Sequence, residues 1–123
     1  MNARFYLKTL LAVFLLSGLL LSSCGEDKPK PNTCETANVS FSAVILPIIE
    51  QNCFNGCHSG ANPSGGFTLE SYADVKVKVD DDRLGGAVER KADFVAMPLN
   101  MDPLPSCEVD QIIAWIEQGA NDN

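Results

Sequence analysis

Apolar residues recur with helical spacing in the segment that leads into the first pair of closely spaced cysteines. Ser40 or Ser42 can cap the start of this helix. Pro47 fits a helix only within the first turn, where its missing N–H is no loss. The regular part is therefore expected to begin near Leu46 and to deliver the chain into Cys53. The apolar positions are Phe41, Val44, Ile45, Ile48 and Ile49.

The clearest helix is predicted close to the end of the chain. Ser106 is expected as its N-cap and Gly119 as its C-terminal cap, while Glu108 and Asp110 lie near the positive end of the helix dipole. Trp115 widens an apolar face that follows the 3.6-residue period. The other residues of that face are Val109, Ile112, Ile113 and Ile116.

Two weaker helices are predicted between these two. In residues 71–79, Ser71 and Asp74 form a capping-box pattern, which favours a helix although three valines alternate as in a strand. Residues 82–91 indicate a shorter helix that Gly85-Gly86 interrupts. No pair of strands with a hairpin turn can be recognised, so the predicted fold class is all-α.

The first 23 residues have the pattern of an export signal. Arg4 and Lys8 form a positive region, and the apolar run 10–21 is shorter than the roughly 20 residues that span a bilayer. Residues 21–24, Leu-Ser-Ser-Cys, resemble the lipobox of bacterial lipoproteins, whose cysteine is lipidated. We therefore expect Cys24 to anchor an exported protein to a bacterial membrane, on the periplasmic side or at the cell surface. The alternative is an ordinary signal peptide with a coincidental cysteine.

These patterns divide the chain into a signal peptide over 1–23, a lipidated N-terminus with a charged, Pro-rich tether over 24–40, and one small domain over 41–120. From Cys24 onwards, seven of the nine Lys and Arg remain against all sixteen Asp and Glu, a net charge of −9. Such a surface repels nucleic acid, so no nucleic-acid partner is expected.

The sequence Cys-Phe-Asn-Gly-Cys-His at 53–58 ends in the Cys-His pair of a haem attachment site, with three residues between the cysteines where the usual c-type motif has two. The thiols of Cys53 and Cys57 can each add to a haem vinyl group, and His58 is then carried under the iron as an axial ligand. Asn55-Gly56 can take positive φ and absorb the extra residue. The predicted cofactor is one covalent haem c.

Two other chemistries compete for this segment. A Cys53–Cys57 disulfide would close a very small loop and leave the adjacent histidine unexplained. It would make the chain a haem-free, disulfide-stapled lipoprotein that acts as an interaction module. A zinc site needs further ligands, and His58 is the only histidine in the chain.

The single histidine excludes bis-histidine ligation within one chain, so a methionine is the natural second axial ligand. Met97 precedes Pro98 in the stretch 96–105, which has three prolines and no regular pattern, as expected of a rigid loop that presents a thioether. Met101 is the alternative ligand. Both methionines could instead fill gaps in a core.

Four segments are informative when they are taken together. They are the run 44–52 into the cysteine motif, Gly65-Gly66-Phe67-Thr68-Leu69 with Ser71-Tyr72, Met97-Pro98, and Ala114-Trp115-Ile116-Glu117-Gln118-Gly119-Ala120. In this order they resemble the small class I cytochrome c domains of the planctomycete-type cytochrome family, over roughly residues 41–120. The resemblance implies a compact helical domain around one haem, with Cys53 and Cys57 as thioether sites, His58 proximal and Met97 distal. It also implies an exported, often membrane-attached electron-transfer protein.

Two cysteines remain, Cys34 before the domain and Cys107 at the start of the last helix. An oxidising compartment favours a disulfide between them, although Cys107 could be a buried small apolar residue and Cys34 free. The function expected from the sequence is one-electron transfer between redox partner proteins, by a carrier and not an enzyme, with no small-molecule substrate. A sensor or docking role for the same haem domain stays open.

Overall fold

Four helices make up the regular secondary structure of residues 33–123, the part of the chain that the computed structural model describes. No strand occurs in this range, which confirms the predicted all-α class. The predicted signal peptide 1–23 and the lipidation site Cys24 lie outside the described residues. Among the helices described, none combines the length and the apolar character needed to cross a membrane.

The first helix, α1, opens with a wide turn that accommodates Pro47. In a regular α-helix the proline ring would meet the carbonyl of Ala43, four residues back. The Ile45 N–H instead donates to the Ser40 carbonyl, five residues back, at 3.2 Å. Ser40 also caps the helix, since its hydroxyl accepts from the Ala43 N–H at 3.2 Å, and the α-helical part starts at Leu46 as predicted. The consecutive segments of α1 are a π-helical turn Phe41–Ile45, an α-helical turn Leu46–Ile49 and a π-helical segment Glu50–His58.

The second and fourth helices differ in how they begin. Ser71 and Asp74 form the predicted capping box in front of α2. The predicted N-cap role of Ser106 is wrong, because Pro105 keeps an extended backbone and its carbonyl accepts the Glu108 N–H at 2.9 Å, which makes Ser106 the first helical residue. The bounds are Tyr72–Asp80 for α2, Arg83–Val88 for α3 and Ser106–Glu117 for α4.

The third helix, α3, contains the two glycines that were expected to interrupt it. A Cβ on Gly86 would lie 2.4 Å from Cγ of the Phe94 ring, so this glycine makes room for the ring. Gly85 lies inside the same helix, with space for a side chain. Gly86 therefore serves packing, and the prediction of a break at this point is wrong because the helix continues through both glycines.

The end of α4 is closed by a Schellman motif, in agreement with the predicted capping role of Gly119. Gly119 has a φ of 100° and donates its N–H to the Ile116 carbonyl at 3.0 Å. The Ala120 N–H donates to the Trp115 carbonyl at 2.9 Å. Both Ala120 and Trp115 are buried, which supplies the apolar contact that accompanies this motif.

Side chains of all four helices form the core, together with Val39, Leu69 and Leu104 of the connecting segments. The Phe41 ring lies 5.5 Å from the Trp115 ring and 5.2 Å from the Tyr72 ring, centroid to centroid. The Tyr72 hydroxyl donates to the Ala120 carbonyl at 2.8 Å. These contacts hold the first and last helices together, so that α1 presents its C-terminal end in a fixed direction. The largest fully buried side chains are Trp115, Ile45, Ile49, Ile112 and Val75.

The last residue in the sequence, Asn123, caps the start of α1. Its side-chain oxygen accepts the Phe41 N–H at 2.7 Å, and its main-chain oxygen accepts the Ser42 N–H at 2.9 Å. The hydroxyls of Ser40 and Ser42 donate to the same main-chain oxygen, each at 2.8 Å. Asn123 thus satisfies N–H groups that the start of a helix leaves without partners.

Candidate functional site

The cysteine motif lies at the C-terminal end of α1, where the helix breaks between the two cysteines. Asn55 (φ 4°, ψ 45°) and Gly56 (φ 77°, ψ 1°) leave helical geometry. The positive φ of Gly56 suits a residue without a Cβ. The turn lies between the two cysteines, and Gly56 takes the positive φ that was predicted for the Asn55-Gly56 pair.

The loop that follows α1 satisfies the carbonyls at the end of the helix. The Ser64 hydroxyl donates to the Gly56 carbonyl at 2.9 Å, and the Gly65 N–H donates to the Cys57 carbonyl at 2.8 Å. The Leu69 N–H donates to the His58 carbonyl at 2.9 Å. A helix end normally leaves such carbonyls without intrahelical partners, so these bonds fix the position of the motif.

His58 is a buried imidazole with 6% of its surface exposed. Its Nδ1 lies 3.1 Å from the Phe67 carbonyl oxygen. Because a carbonyl can only accept a hydrogen bond, Nδ1 carries a proton, and in the tautomer protonated only there the lone pair lies on Nε2. Metal-binding histidines are commonly oriented by a bond of this kind from the second ring nitrogen. The geometry therefore suits Nε2 as a ligand.

Two neighbours hold the His58 ring in place. A Cβ on Gly65 would lie 2.3 Å from Cε1 and 2.6 Å from Nδ1 of His58, so only glycine fits there. The Phe67 ring packs against the imidazole, with 4.4 Å between ring centroids. The Lys78 ammonium lies 4.3 Å from the centroid of the Phe67 ring. The ring of His58 thus has little freedom to turn.

The two cysteines of the motif are both free thiols, in different environments. Cys57 is exposed and Cys53 is half-buried. Burial, and then the neighbouring Cys57 and Glu108, raise the pKa of the Cys53 thiol to about 11. Cys53 is therefore a neutral thiol at physiological pH, and the alternative Cys53–Cys57 disulfide is not formed in the structure. Within residues 33–123, no three His, Cys, Asp or Glu side chains come together as a metal site would require.

Met97 lies in an irregular loop that is fastened to α3. Its N–H donates to the Ala87 carbonyl at 3.0 Å, and its side chain is half-buried. Met101, the alternative ligand, is 60% exposed. Val95 and Leu99 in the same loop are also exposed, to 64% and 56%. The loop thus presents apolar side chains that the described chain does not cover.

The remaining two cysteines of the described chain form the predicted disulfide. Cys34 and Cys107 are bonded, with 5.4 Å between their Cα atoms, and they are 73 residues apart in the sequence. Gln118 adds to this connection, since its Nε2 donates to the Thr36 carbonyl at 2.7 Å and its Oε1 accepts the Val39 N–H at 2.9 Å. The segment before α1 is therefore attached along α4.

The observed side chains fit a covalently attached haem, because two free thiols precede a buried imidazole that is bonded through Nδ1 and so offers Nε2 as a ligand. Sequence reasoning did not identify the residues that orient this imidazole. The Phe67 carbonyl could not be recognised, since any residue supplies a carbonyl, whereas the Gly65-Gly66 pair was a visible but unspecific feature. Comparison of the chain with models of protein families, with curated proteins and with solved structures finds no match.

Proposed function

We propose that the chain is a monohaem c-type cytochrome that transfers single electrons between redox partner proteins at a membrane surface. One observation carries the proposal. The only histidine of the chain directly follows two free thiols, is buried, and donates Nδ1–H to the Phe67 carbonyl, which leaves Nε2 free as a ligand. A histidine that merely filled the core would not require this arrangement of thiols beside it.

Four side chains would hold the cofactor. Cys53 and Cys57 would form thioethers, in which each S–H adds across a vinyl double bond, so that sulfur bonds to one carbon and hydrogen to the other. His58 Nε2 would be one axial ligand and Met97 the other, with Met101 as the alternative. The haem would supply an iron that cycles between the ferric and ferrous states.

The protein contributes rigidity and thiol chemistry to this function. Gly65 and Phe67 restrict the His58 ring, which limits ligand rearrangement when the charge at the site changes. The raised pKa of Cys53 keeps this thiol neutral, and neutral thiols are slow to form disulfides. The motif would thereby stay reduced until attachment.

The packing of α1 against α4 supports the finer interpretation of the fold as a class I cytochrome c-like domain. In this interpretation the last helix stabilises the helix that carries the motif, and the contact between Phe41 and Trp115 would have this role. Export and a lipid anchor at Cys24 are parts of the same proposal, and they would hold the carrier near its redox partners.

The first test is haem content. The full chain, expressed in bacteria with c-type maturation machinery, is expected to retain haem after denaturation and acid extraction and to give a pyridine haemochrome spectrum. The Cys53→Ala/Cys57→Ala variant is the matched control, because it keeps His58 and Met97 but loses both attachment points. Wild-type protein without covalent haem under these conditions would refute the proposed function.

The second test concerns the axial ligand. Met97→Ala is expected to retain covalent haem but to lose the low-spin absorption of a His/Met pair and to shift the reduction potential downwards, since Met ligation raises the potential. Met101→Ala addresses the alternative ligand in the same spectra. The assignment of Met97 is wrong if the Met101 variant, and not the Met97 variant, loses this absorption.

A further inference from the structure

Arg90 is a half-buried cation that binds the main chain of the loop containing both methionines. Its Nη2 donates to the Met101 carbonyl at 2.6 Å and lies 3.5 Å from the Pro98 carbonyl. Arg90 is the second residue after α3 and has a φ of 56°, in the left-handed region that non-glycine residues rarely adopt. Its side chain is therefore committed to this loop.

The contacts of Arg90 are unusual for an arginine in so acidic a chain. The sequence has sixteen Asp and Glu against nine Lys and Arg, yet none of the ion pairs within residues 33–123 includes Arg90. Its Nε is buried without a hydrogen-bond partner. A surface arginine would normally turn towards carboxylates, whereas this one is bonded to main-chain carbonyls of a single loop.

The loop depends on polar contacts because little of it is packed. Met101 and Leu99 are more than half exposed. The Met97 N–H is bonded to the Ala87 carbonyl of α3. Arg90 contacts the carbonyls of Pro98 and Met101, one and four residues after Met97. The main chain on both sides of Pro98 is thus fixed by the end of α3.

We infer that Arg90 is a positioning residue that selects Met97 over Met101 as the axial ligand. The inference rests on the proposed function and adds to it the residue that decides between the two methionines. Arg90 pins the carbonyl of Met101 and so holds its main chain in place, with the Met101 side chain exposed to solvent. The bond to Ala87 meanwhile keeps the half-buried Met97 on α3.

The test compares haem-loaded Arg90→Ala and Arg90→Lys with Arg83→Ala. Arg83 is the matched control, since it belongs to α3 but forms only an exposed contact with Asp81. In Arg90→Ala the ratio of Met97-ligated to Met101-ligated protein is expected to fall at least about tenfold, as for the loss of one charge-assisted hydrogen bond. Arg90→Lys retains a donor but lacks the guanidinium fork. It is therefore expected to give a ratio between those of Arg90→Ala and the wild type.

The readouts are haem content, the ferric His/Met absorption and the reduction potential, with helical circular dichroism to verify folding. Adding Met101→Ala should change the spectrum in the Arg90→Ala background and leave it unchanged in the wild type. If Arg90→Ala and Arg90→Lys both keep the spectrum and potential of Arg83→Ala, and adding Met101→Ala changes neither of them, the role of Arg90 is refuted while the cytochrome proposal stands. A wild-type chain without haem refutes both. A wild-type haem without a methionine ligand refutes the Arg90 role and the Met97 assignment, while the covalent haem of the proposed function stands.

Discussion

The two nitrogens of a single imidazole at the end of α1 have different roles. His58 Nδ1 donates to the Phe67 carbonyl at 3.1 Å, which leaves Nε2 as the nitrogen available to a ligand. Gly65 leaves room for this ring, and a Cβ at position 65 would clash with it. The chemistry proposed for the site therefore depends on a residue without a side chain as much as on the ligand itself.

Gly65→Ala should destabilise the protein, because the new methyl group would meet the His58 ring at 2.3 Å. Overpacking of this kind costs about 1–3 kcal/mol of unfolding free energy. Gly85→Ala is the matched control, since a Cβ there would contact Ile113 and Ile116 at ordinary distances of 3.5 and 3.6 Å. In urea unfolding, Gly85→Ala should raise the stability by about 0.5–1 kcal/mol, the usual gain inside a helix. Equal effects of the two substitutions would contradict the proposed fit.

Cys53 and Cys57 should differ in reactivity in protein made without haem maturation. The pKa of Cys53 is raised to about 11, chiefly by burial and further by Cys57 and Glu108. Because the thiolate is the reactive form, alkylation of Cys53 should be slow near pH 8 and accelerate up to about pH 11. Glu108→Gln should lower this pKa and speed the reaction at a given pH.

Iodoacetamide labelling followed by mass spectrometry measures each cysteine separately. The exposed Cys57 serves as the internal reference in every sample. Labelling of Cys53 as fast as Cys57 at pH 8 would show that Cys53 is not protected by burial.

At the scale of elements, α1 is defined by contacts at both of its ends. Its start is held by Asn123, its interior adapts to Pro47 with a wide turn, and its end is closed by the loop that contains Ser64 and Gly65. The hydrogen bonds at its start come from a residue 82 positions away in the sequence, and those at its end come from the loop that follows the helix. The position of the cysteine motif is therefore a property of the tertiary structure.

Asn123→Ala should lower the unfolding free energy by about 1 kcal/mol, because the Phe41 N–H loses its acceptor at the helix start. Asn123→Asp keeps the acceptor and adds a negative charge near the positive end of α1, so it should be at least as stable as the wild type. Asp122→Ala, an exposed neighbour, is expected to stay within about 0.5 kcal/mol. Thermal or urea unfolding of the three variants distinguishes the loss of the helix cap from a general effect of altering residues 122 and 123.

The sequence was informative where structure depends on neighbouring residues. The capping box of Ser71, the turn at Gly56 and the end of α4 at Gly119 all follow local rules, and each was predicted correctly. The wide turn before Pro47 was not predicted, because the usual rule treats proline as tolerated only in the first turn. The use of Gly86 inside α3 depends on the Phe94 ring, which no local pattern reveals.

The candidate site was also predictable only in part: its side-chain types could be recognised, but its main-chain contacts could not. The types and spacing of Cys53, Cys57 and His58 could be recognised from the sequence, because ligand chemistry is carried by side-chain identity. The Phe67 carbonyl and the Arg90 contact to Met101 could not, since both arise from main-chain atoms brought together by folding. Met97 as a ligand stays a prediction.

For the whole molecule, one disulfide ties the segment before α1 to the start of the last helix. Cys34 and Cys107 enclose both the cysteine motif and the methionine loop, and they are 73 residues apart. A cross-link over such a long loop restricts the unfolded chain strongly. It supplements the modest core that a domain of this size can form.

Reduction of this disulfide should lower the unfolding free energy by about 4 kcal/mol, by the chain-entropy relation. Urea unfolding with and without reductant measures the difference. The Cys34→Ala/Cys107→Ala variant is the control, because its stability should not respond to reductant while Cys53 and Cys57 remain free thiols in both proteins. A wild-type transition that does not change with reductant would contradict the expected stabilisation.

The same cross-link has a consequence for how damage to the chain would be detected. A protease that cuts once in the exposed loop around Ala61 and Asn62 produces two fragments, and the bond between Cys34 and Cys107 still joins them. In denaturing electrophoresis, the nicked protein would migrate as one species without reductant and as two species with reductant. The fragment bearing Cys53, Cys57 and any attached haem would then separate from the one bearing the methionine loop, so that each half of the proposed site could be followed independently.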